Sequence, residues 1–264
     1  MNSPIWLAAF ACYFAAVIVA SFIVRYSTVQ QRALWASVFI AVIAGFANAV
    51  YPGAAPIGFI AAAVSAFVIA GWAIYDRRFA ASRWLARASG AIVLRPPFEG
   101  QWHVAAGGPD PKHNHHQRVS DQYFAYDFLR DEGESWNAPI LAPCRGLIAH
   151  IEDRHDDAAP GDRHRDRRNP FGNYVSIETP RGYIILAHLQ RGTIVVRNGA
   201  PVGVGEEVAR CGNSGNTRGA HLHIHAQDKA FADIGVAQGV PIAFVSGDCR
   251  EPMLLEFGDS LGKR

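Results

Sequence analysis

The residues best suited to chemistry are two histidines spaced one residue apart, His221 and His223. In an extended strand, side chains at i and i+2 leave the same face, so this pair can address one metal ion while Leu222 and Ile224 face the opposite side. Imidazole is a common ligand of zinc, so the spacing predicts a metal site. Glycine and asparagine in the preceding turn tolerate a tight backbone beside a cavity. The turn and the pair read Ser214-Gly215-Asn216-Thr217-Arg218-Gly219-Ala220-His221-Leu222-His223.

Short strands and turns must position this pair. Apolar or alternating runs, divided by Gly, Pro, Asn and Asp, follow one another without a convincing amphipathic helix between them. The pattern predicts an all-β antiparallel domain, interrupted by a long solvated loop from Glu152 to Asn169. The expected strands are Ala91–Leu94, Gly100–Val104, Tyr123–Leu129, Gly146–Ile151, Asn173–Ile177, Tyr183–Leu189, Thr193–Val196 and Ala220–Ala226.

Several separated blocks, in order, resemble the lysostaphin/LytM-type zinc endopeptidases, which cleave peptide bridges or stems in peptidoglycan. The resemblance runs from about Leu94 to Phe244 and implies a LytM-like domain with the duplicated hybrid motif. It also implies a zinc cofactor and peptidoglycan peptides as the substrate. The blocks are Gly172-Asn173-Tyr174-Val175-Ser176-Ile177, Leu186-Ala187-His188-Leu189, Arg191-Gly192-Thr193-Ile194, Val202-Gly203-Val204-Gly205-Glu206-Glu207-Val208-Ala209, Cys211-Gly212-Asn213-Ser214-Gly215-Asn216-Thr217 and the His-x-His pair.

The metal site that the resemblance implies contains two histidines, one aspartate and a water. His223 matches the strand ligand of the family, and Asp127 matches its carboxylate. The other histidine comes from the segment His113 to His116, where an Asn-x-His pattern favours His116 and leaves His115 as the alternative. Other family members have this histidine and the aspartate only four residues apart, so a longer excursion must return Asp127 to the metal.

Three protein ligands leave a fourth tetrahedral position for water, as in catalytic zinc sites. The resemblance then implies catalytic roles for His188 and His221. His221 shares a strand face with His223 and is placed to act as general base. His188, at the end of an apolar strand, would hold the water or stabilise the oxyanion. His225 shares that face, but strand twist predicts a supporting or solvent-facing role for it. The sequence contains no His-Glu-x-x-His motif, so the helical zinc-protease plan is excluded.

The first 75 of the 264 residues have a different composition. They contain no Asp or Glu, and their basic residues are Arg25 and Arg32. Three apolar runs approach the ~20 residues that a helix needs to cross a bilayer, and they predict an N-terminal α-helical transmembrane bundle of three helices. The runs are Ile5–Val24, Ala33–Val50 and Ala54–Tyr75, and the first could instead be a signal peptide. The predicted organisation is residues 1–75 transmembrane, 76–93 connector, 94–250 metallopeptidase domain and 251–264 tail.

This organisation predicts an integral, multi-pass membrane protein with the lipid bilayer as a partner. Arginines concentrate on the side that carries the large domain, so the positive-inside rule alone places that domain in the cytoplasm. A peptidoglycan substrate requires the opposite side, and we expect an extracytoplasmic domain. A cytoplasm-facing membrane peptidase is the alternative that the arginines favour.

The charge balance and the cysteine content limit the partners and the kinds of site that the sequence allows. Basic and acidic residues balance beyond residue 75, which argues against a nucleic-acid partner. The four cysteines form no Cys-x-x-Cys motif; Cys144 and Cys211 could pair, although small buried residues are the default interpretation. The sequence predicts no oligomeric state. A non-catalytic LytM-like module that binds or activates a cell-wall hydrolase is the alternative to an enzyme.

Overall fold

The computed structural model describes residues 71, 75, 79–131, 134–159, 162, 166–245 and 251–262. The chain divides into two compact units, residues 1–79 and residues 80–264. In the first unit, the described residues are Gly71, Tyr75 and Phe79, all in helical conformation. The second unit is built of short strands, as the alternating sequence pattern predicts.

The predicted bundle of three transmembrane helices is not supported. Within the described residues, no helix has the length and apolar character needed to span a bilayer. The predicted integral, multi-pass membrane localisation is corrected with it. The three apolar runs lie outside the described residues, apart from Gly71 and Tyr75 in the last.

The strands of the second unit are short. They are β1 Ile92–Leu94, β2 Gln101–Ala106, β3 Tyr126–Arg130, β4 Pro139–Leu141, β5 Gly146–Glu152, β6 Asn173–Thr179, β7 Gly182–Leu189, β8 Pro201–Val202, β9 Glu207–Arg210, β10 Leu222–Gln227, β11 Gly239–Val240, β12 Ile242–Phe244 and β13 Ser260–Gly262. The predicted strand at Thr193–Val196 is not formed. Its backbone makes one ladder-like contact, from Val195 N to Val208 O at 3.0 Å.

A nine-stranded sheet has the order β13-β2-β3-β10-β7-β6-β5-β8, with β11 pairing β10 beyond this path. The pairs within this sheet are antiparallel, as is the separate β4–β9 pair. The pair β1–β12 is parallel and departs from the antiparallel prediction. Strand β10, which carries the histidine pair, lies between β3 and β7 and is buried along its whole length.

The core lies on the face of the sheet opposite the histidines. Leu222 and Ile224 of β10 are fully buried in it, as their alternation with the histidines predicts. Large aromatic side chains fill it, and Phe98 stacks on Trp102 with ring centroids 4.6 Å apart. Trp84 joins the same core and donates from Nε1 to the Tyr123 carbonyl at 3.2 Å.

Candidate active site

Asp127 and His223 are brought together by strand pairing. The two residues are direct partners in the antiparallel register of β3 and β10, so their side chains leave the same face of the sheet. His223 Nδ1 lies 2.8 Å from Asp127 Oδ1, and both side chains are buried. The two residues are 96 positions apart in the sequence, and the pairing of β3 with β10 places them side by side.

His116 reaches the same carboxylate from a 3-10 turn, His115–Arg118. The Asn114 side chain caps the turn by accepting from His116 N at 3.1 Å, and it donates to the Gly108 carbonyl at 2.7 Å. His116 Nε2 lies 3.1 Å from Asp127 Oδ2. This buried nitrogen makes no other polar contact among the described residues.

The two candidates for the first ligand lie side by side. His115, His116 and Asp127 offer ligand atoms that are all within 4.8 Å of one another. His115 is exposed, whereas His116 is 3% exposed and its ring makes an edge contact with His223 at 4.9 Å between centroids. Burial and the contact with His223 favour His116 as the ligand.

His188 is placed by a bulge in the β6–β7 ladder. Asn173 pairs with Leu189 and Tyr174 pairs with Ala187, so His188 is the extra residue on β7. Its φ of 61° lies in the left-handed region, which is uncommon outside glycine and tends to occur at functional sites. A bulge of this kind turns a side chain away from its regular direction. The His188 ring lies 4.7 Å from that of His221 between centroids.

The Gly/Asn turn holds His188 through Ser214. His188 Nδ1 is 2.8 Å from the Ser214 carbonyl, while Ser214 Oγ donates to Leu189 O at 2.8 Å and accepts from Asn173 N at 2.9 Å. A Cβ on Gly172 would lie 2.4 Å from the Ser214 carbonyl carbon. Glycine at this position, with φ +60°, therefore lets the two backbones touch.

His221 lies just before β10 and faces the same carboxylate. Its Nδ1 is 2.8 Å from the Gly219 carbonyl, and its Nε2 is 3.7 Å from Asp127 Oδ1. Because a carbonyl can only accept, the Nδ1 atoms of both His188 and His221 carry the proton in the neutral rings. Both residues therefore present an unprotonated Nε2.

His225 extends the row of imidazoles and is fully buried, so the solvent-facing alternative for it is excluded. Its Nδ1 lies 3.0 Å from His223 Nε2, and its Nε2 lies 3.0 Å from Gln227 Oε1. The Phe171 ring stacks on it at 5.3 Å between centroids. Sequence reasoning missed Gln227, although its position four residues after His223 on an alternating strand is a signal for the same face.

The ionisation states suit a cation site. Burial by itself raises the pKa of Asp127, but the surrounding imidazoles, chiefly His116 and His221, outweigh burial and hold that pKa well below its usual value. Burial lowers the pKa of His223 to about 3 and that of His225 to about 4. Burial, aided by His221 and His223, also lowers the pKa of His188 well below its usual value. At neutral pH a charged carboxylate thus lies close to the neutral rings of His188 and His223.

The donor set fits zinc. Two imidazole nitrogens and one carboxylate oxygen from His116, His223 and Asp127 form a mixed nitrogen and oxygen set of the kind that catalytic zinc uses. Two ligands of a tetrahedral zinc lie about 3.3 Å apart, since each bond is about 2.0–2.1 Å long. The carboxylate oxygens lie 3.1 Å from His116 Nε2 and 2.8 Å from His223 Nδ1, slightly closer than that spacing.

The structure thus brings all five predicted site residues to one place on the sheet. His116, Asp127 and His223 are in mutual contact, and His188 and His221 lie beside them.

Cys144 and Cys211 are both free, so the possible disulfide between them is not formed.

Comparison with solved structures finds distant likenesses. The catalytic domain of the prophage-encoded M23 protein EnpA from Enterococcus faecalis is 19% identical, with 44% of this chain and 73% of that chain covered and a TM-score of 0.33. The lysostaphin catalytic domain from Staphylococcus simulans is 16% identical, with 53% and 88% covered and a TM-score of 0.34. A zinc-containing peptidase from Vibrio cholerae is 20% identical, with a TM-score of 0.30; 53% of this chain is covered but only 37% of that chain.

No curated protein matches the chain. The family model of Peptidase family M23 matches residues 131–234, a segment that contains His188, His221 and His223 but begins after His116 and Asp127. The places of those two residues in the site therefore rest on the geometry described above. Over residues 131–234 the chain is therefore similar to Peptidase family M23, and the second unit that contains this segment is mostly β.

Proposed function

We propose that the chain is a zinc metalloendopeptidase that hydrolyses peptide bonds in peptidoglycan. The observation that carries the proposal is the meeting of His116, Asp127 and His223, from a 3-10 turn and two strands, around one buried point with two further histidines beside it. The match of residues 131–234 to Peptidase family M23 supports the peptidase chemistry. The peptidoglycan substrate follows from the likeness of the sequence blocks to lysostaphin/LytM-type enzymes.

His116, Asp127 and His223 would hold the metal. Their lone pairs are available because Asp127 is ionised and His223 is neutral at neutral pH. When bound, zinc polarises a carbonyl and lowers the pKa of water, which is the chemistry that peptide hydrolysis needs. The burial of all three side chains keeps competing water away from the ligands.

His221 is suited to the role of general base. Its Nδ1–H donates to the Gly219 carbonyl, so its Nε2 lone pair is directed to the space beside Asp127. Nε2 can take a proton from the attacking water and later give that proton to the leaving amine. The resulting imidazolium would lie 3.7 Å from the Asp127 carboxylate, which stabilises the charge.

His188 is suited to holding the water. Its Nδ1–H is committed to the Ser214 carbonyl, so Nε2 accepts a hydrogen bond in the neutral ring. Burial keeps the ring neutral because it lowers the pKa of His188. Stabilising an oxyanion would require a proton on Nε2, and the structure therefore favours the orienting role for His188 over that of an oxyanion donor.

The test combines zinc content with hydrolysis of defined peptidoglycan fragments by the full-length chain. We expect about one zinc per chain and release of new amino groups from crosslinked muropeptides. His223→Ala should abolish both zinc retention and hydrolysis. His103→Ala is the matched control because the half-buried His103 ring bonds to Asp131 at 2.6 Å and not to a residue of the site. It should leave both measurements unchanged.

A wild-type chain that retains zinc but hydrolyses no muropeptide would refute the peptidoglycan substrate. The zinc site would then stand, with a different function. A chain without zinc and without hydrolysis that still binds peptidoglycan would favour the non-catalytic binding module. Equal activity of His223→Ala and the wild type would refute the assigned site.

A further inference from the structure

Three alternate residues of β10 form one continuous hydrogen-bonded row on the site face of the sheet. His223 Nε2 lies 3.0 Å from His225 Nδ1, and His225 Nε2 lies 3.0 Å from Gln227 Oε1. All three side chains are buried, with His225 and Gln227 fully so. The row ends where Gln227 Nε2 meets two backbone carbonyls, Lys229 O and Phe231 O, each at 2.7 Å.

The two carbonyls fix the orientation of the Gln227 amide. A carbonyl only accepts hydrogen bonds, so both N–H bonds of the amide nitrogen are used and Oε1 must face His225. An amide oxygen also only accepts. His225 Nε2 therefore carries a proton and donates it to Gln227 Oε1.

The neutral His225 ring then has an unprotonated Nδ1, which can only accept. Its partner, His223 Nε2, must donate to it across the 3.0 Å contact. The proton of the neutral His223 ring is thereby placed on Nε2, and its lone pair is placed on Nδ1. That lone pair faces Asp127 Oδ1 at 2.8 Å.

We propose that Gln227 and His225 are positioning residues that set the tautomer of His223, so that His223 presents an unprotonated Nδ1 to a metal ion shared with Asp127. This inference rests on the proposed zinc site and adds the residues that orient one of its ligands. Two acceptors facing each other at 2.8 Å repel, and a cation between or beside them removes the repulsion. The row thus prepares a place that a cation stabilises.

A cationic His225 is the competing arrangement, in which both ring nitrogens donate and His223 Nδ1–H points at Asp127. It would bury a full charge, and no carboxylate of the described residues lies within 4.0 Å of the His225 ring. Burial of an unpaired charge is strongly unfavourable, so the neutral form of the His225 ring is the stable one.

The first experiment observes the tautomers directly. Two-dimensional ¹⁵N NMR of ring nitrogens in the metal-free, full-length chain distinguishes an Nδ1–H from an Nε2–H imidazole. We expect His223 and His225 both to be Nε2–H tautomers in the wild type. In Gln227→Met, which keeps the size but removes the amide, that preference should be lost. An Nδ1–H tautomer of His223 in the wild-type protein would overturn the proposal.

The second experiment measures zinc affinity by competition with a chelating dye. Loss of an outer partner of a histidine ligand weakens metal binding about 10–100-fold, and we expect this loss for Gln227→Met and for His225→Phe. His225→Asn is the conservative variant, because its amide oxygen can accept from His223 Nε2 in place of His225 Nδ1. Asn at 225 should bind zinc within about threefold of the wild type.

The double variant separates a relay from a local packing effect. If Gln227 acts through His225, then Gln227→Met should weaken zinc binding far less when Asn already occupies position 225. Equal effects of Gln227→Met in both backgrounds would overturn the relay. Failure of the proposed function is distinguishable, because it would appear as absent hydrolysis or absent zinc while the tautomers in the metal-free chain remain as proposed.

Discussion

The free energy of unfolding of the metal-free protein is expected to decrease between pH 7 and pH 5, and His225→Asn is expected to make that decrease smaller. Burial lowers the pKa of His225 from 6.5 to about 4, so the folded protein binds fewer protons than the unfolded chain within this range. Stability from such a group is fully present above about pH 6.5 and is lost as the pH falls toward about 4, because the unfolded state takes up the proton first.

The magnitude follows from linkage. At pH 5 the unfolded histidine holds nearly a full proton, while the folded ring holds about a tenth of one, which corresponds to about 2 kcal/mol of lost stability relative to pH 7. His223, with a pKa lowered to about 3, loses a similar amount of about 2 kcal/mol over the same range. Asn at position 225 removes the first contribution and leaves the second.

The assay is urea unfolding of the full-length chain after removal of metal, followed by circular dichroism. It measures the free energy of unfolding at pH 7 and at pH 5. The comparison uses the difference between the two pH values within each protein, so a constant destabilisation by the substitution cancels. We expect the difference to be about 2 kcal/mol smaller in His225→Asn than in the wild type. Differences that agree within about 0.5 kcal/mol would refute the view that a buried neutral imidazole at position 225 resists protonation.

Two further substitutions test the packing around the site. Gly172→Ala would place a Cβ 2.4 Å from the Ser214 carbonyl carbon and force the turn that holds His188 to move, so we expect a loss of about 2 kcal/mol or more in urea unfolding; stability within about 0.5 kcal/mol of the wild type would mean that the turn can relax. Trp84→Ala empties a fully buried position and should cost about 3–5 kcal/mol by the same measurement. A cost below about 1 kcal/mol would contradict the inclusion of this residue in the core.

Strands with clear alternation could be predicted from sequence. The observed β5, β6, β7 and β10 overlap the expected runs closely, because each has at least six residues with one face in the core. The two-residue strands β8 and β11 have no period to detect, since alternation needs at least four residues. The apolar alternation at Thr193–Val196 misled because its backbone finds only one ladder bond, with Val208.

His116 and Asp127 were harder to predict as site residues than His221 and His223. The spacing of His221 and His223 by itself indicates that they share one face of a strand. His116 and Asp127 are eleven positions apart, and nothing local shows that a capped 3-10 turn returns to the end of a strand. The choice between His115 and His116 likewise depends on which ring is buried, and burial is a property of the packed chain.

The amino-acid order alone settled which residue types are available and which of them share a strand face, because alternation is a local property of extended backbone. The folded arrangement decided the rest. The register of β3 against β10 brought Asp127 to His223, and a bulge turned His188 into the site. Two carbonyls beyond β10 oriented the Gln227 amide and, through it, the protons of two histidines. These features depend on contacts between segments that are distant in the sequence. The spacing of residues along one strand does not determine which other strand pairs with it, or in which register.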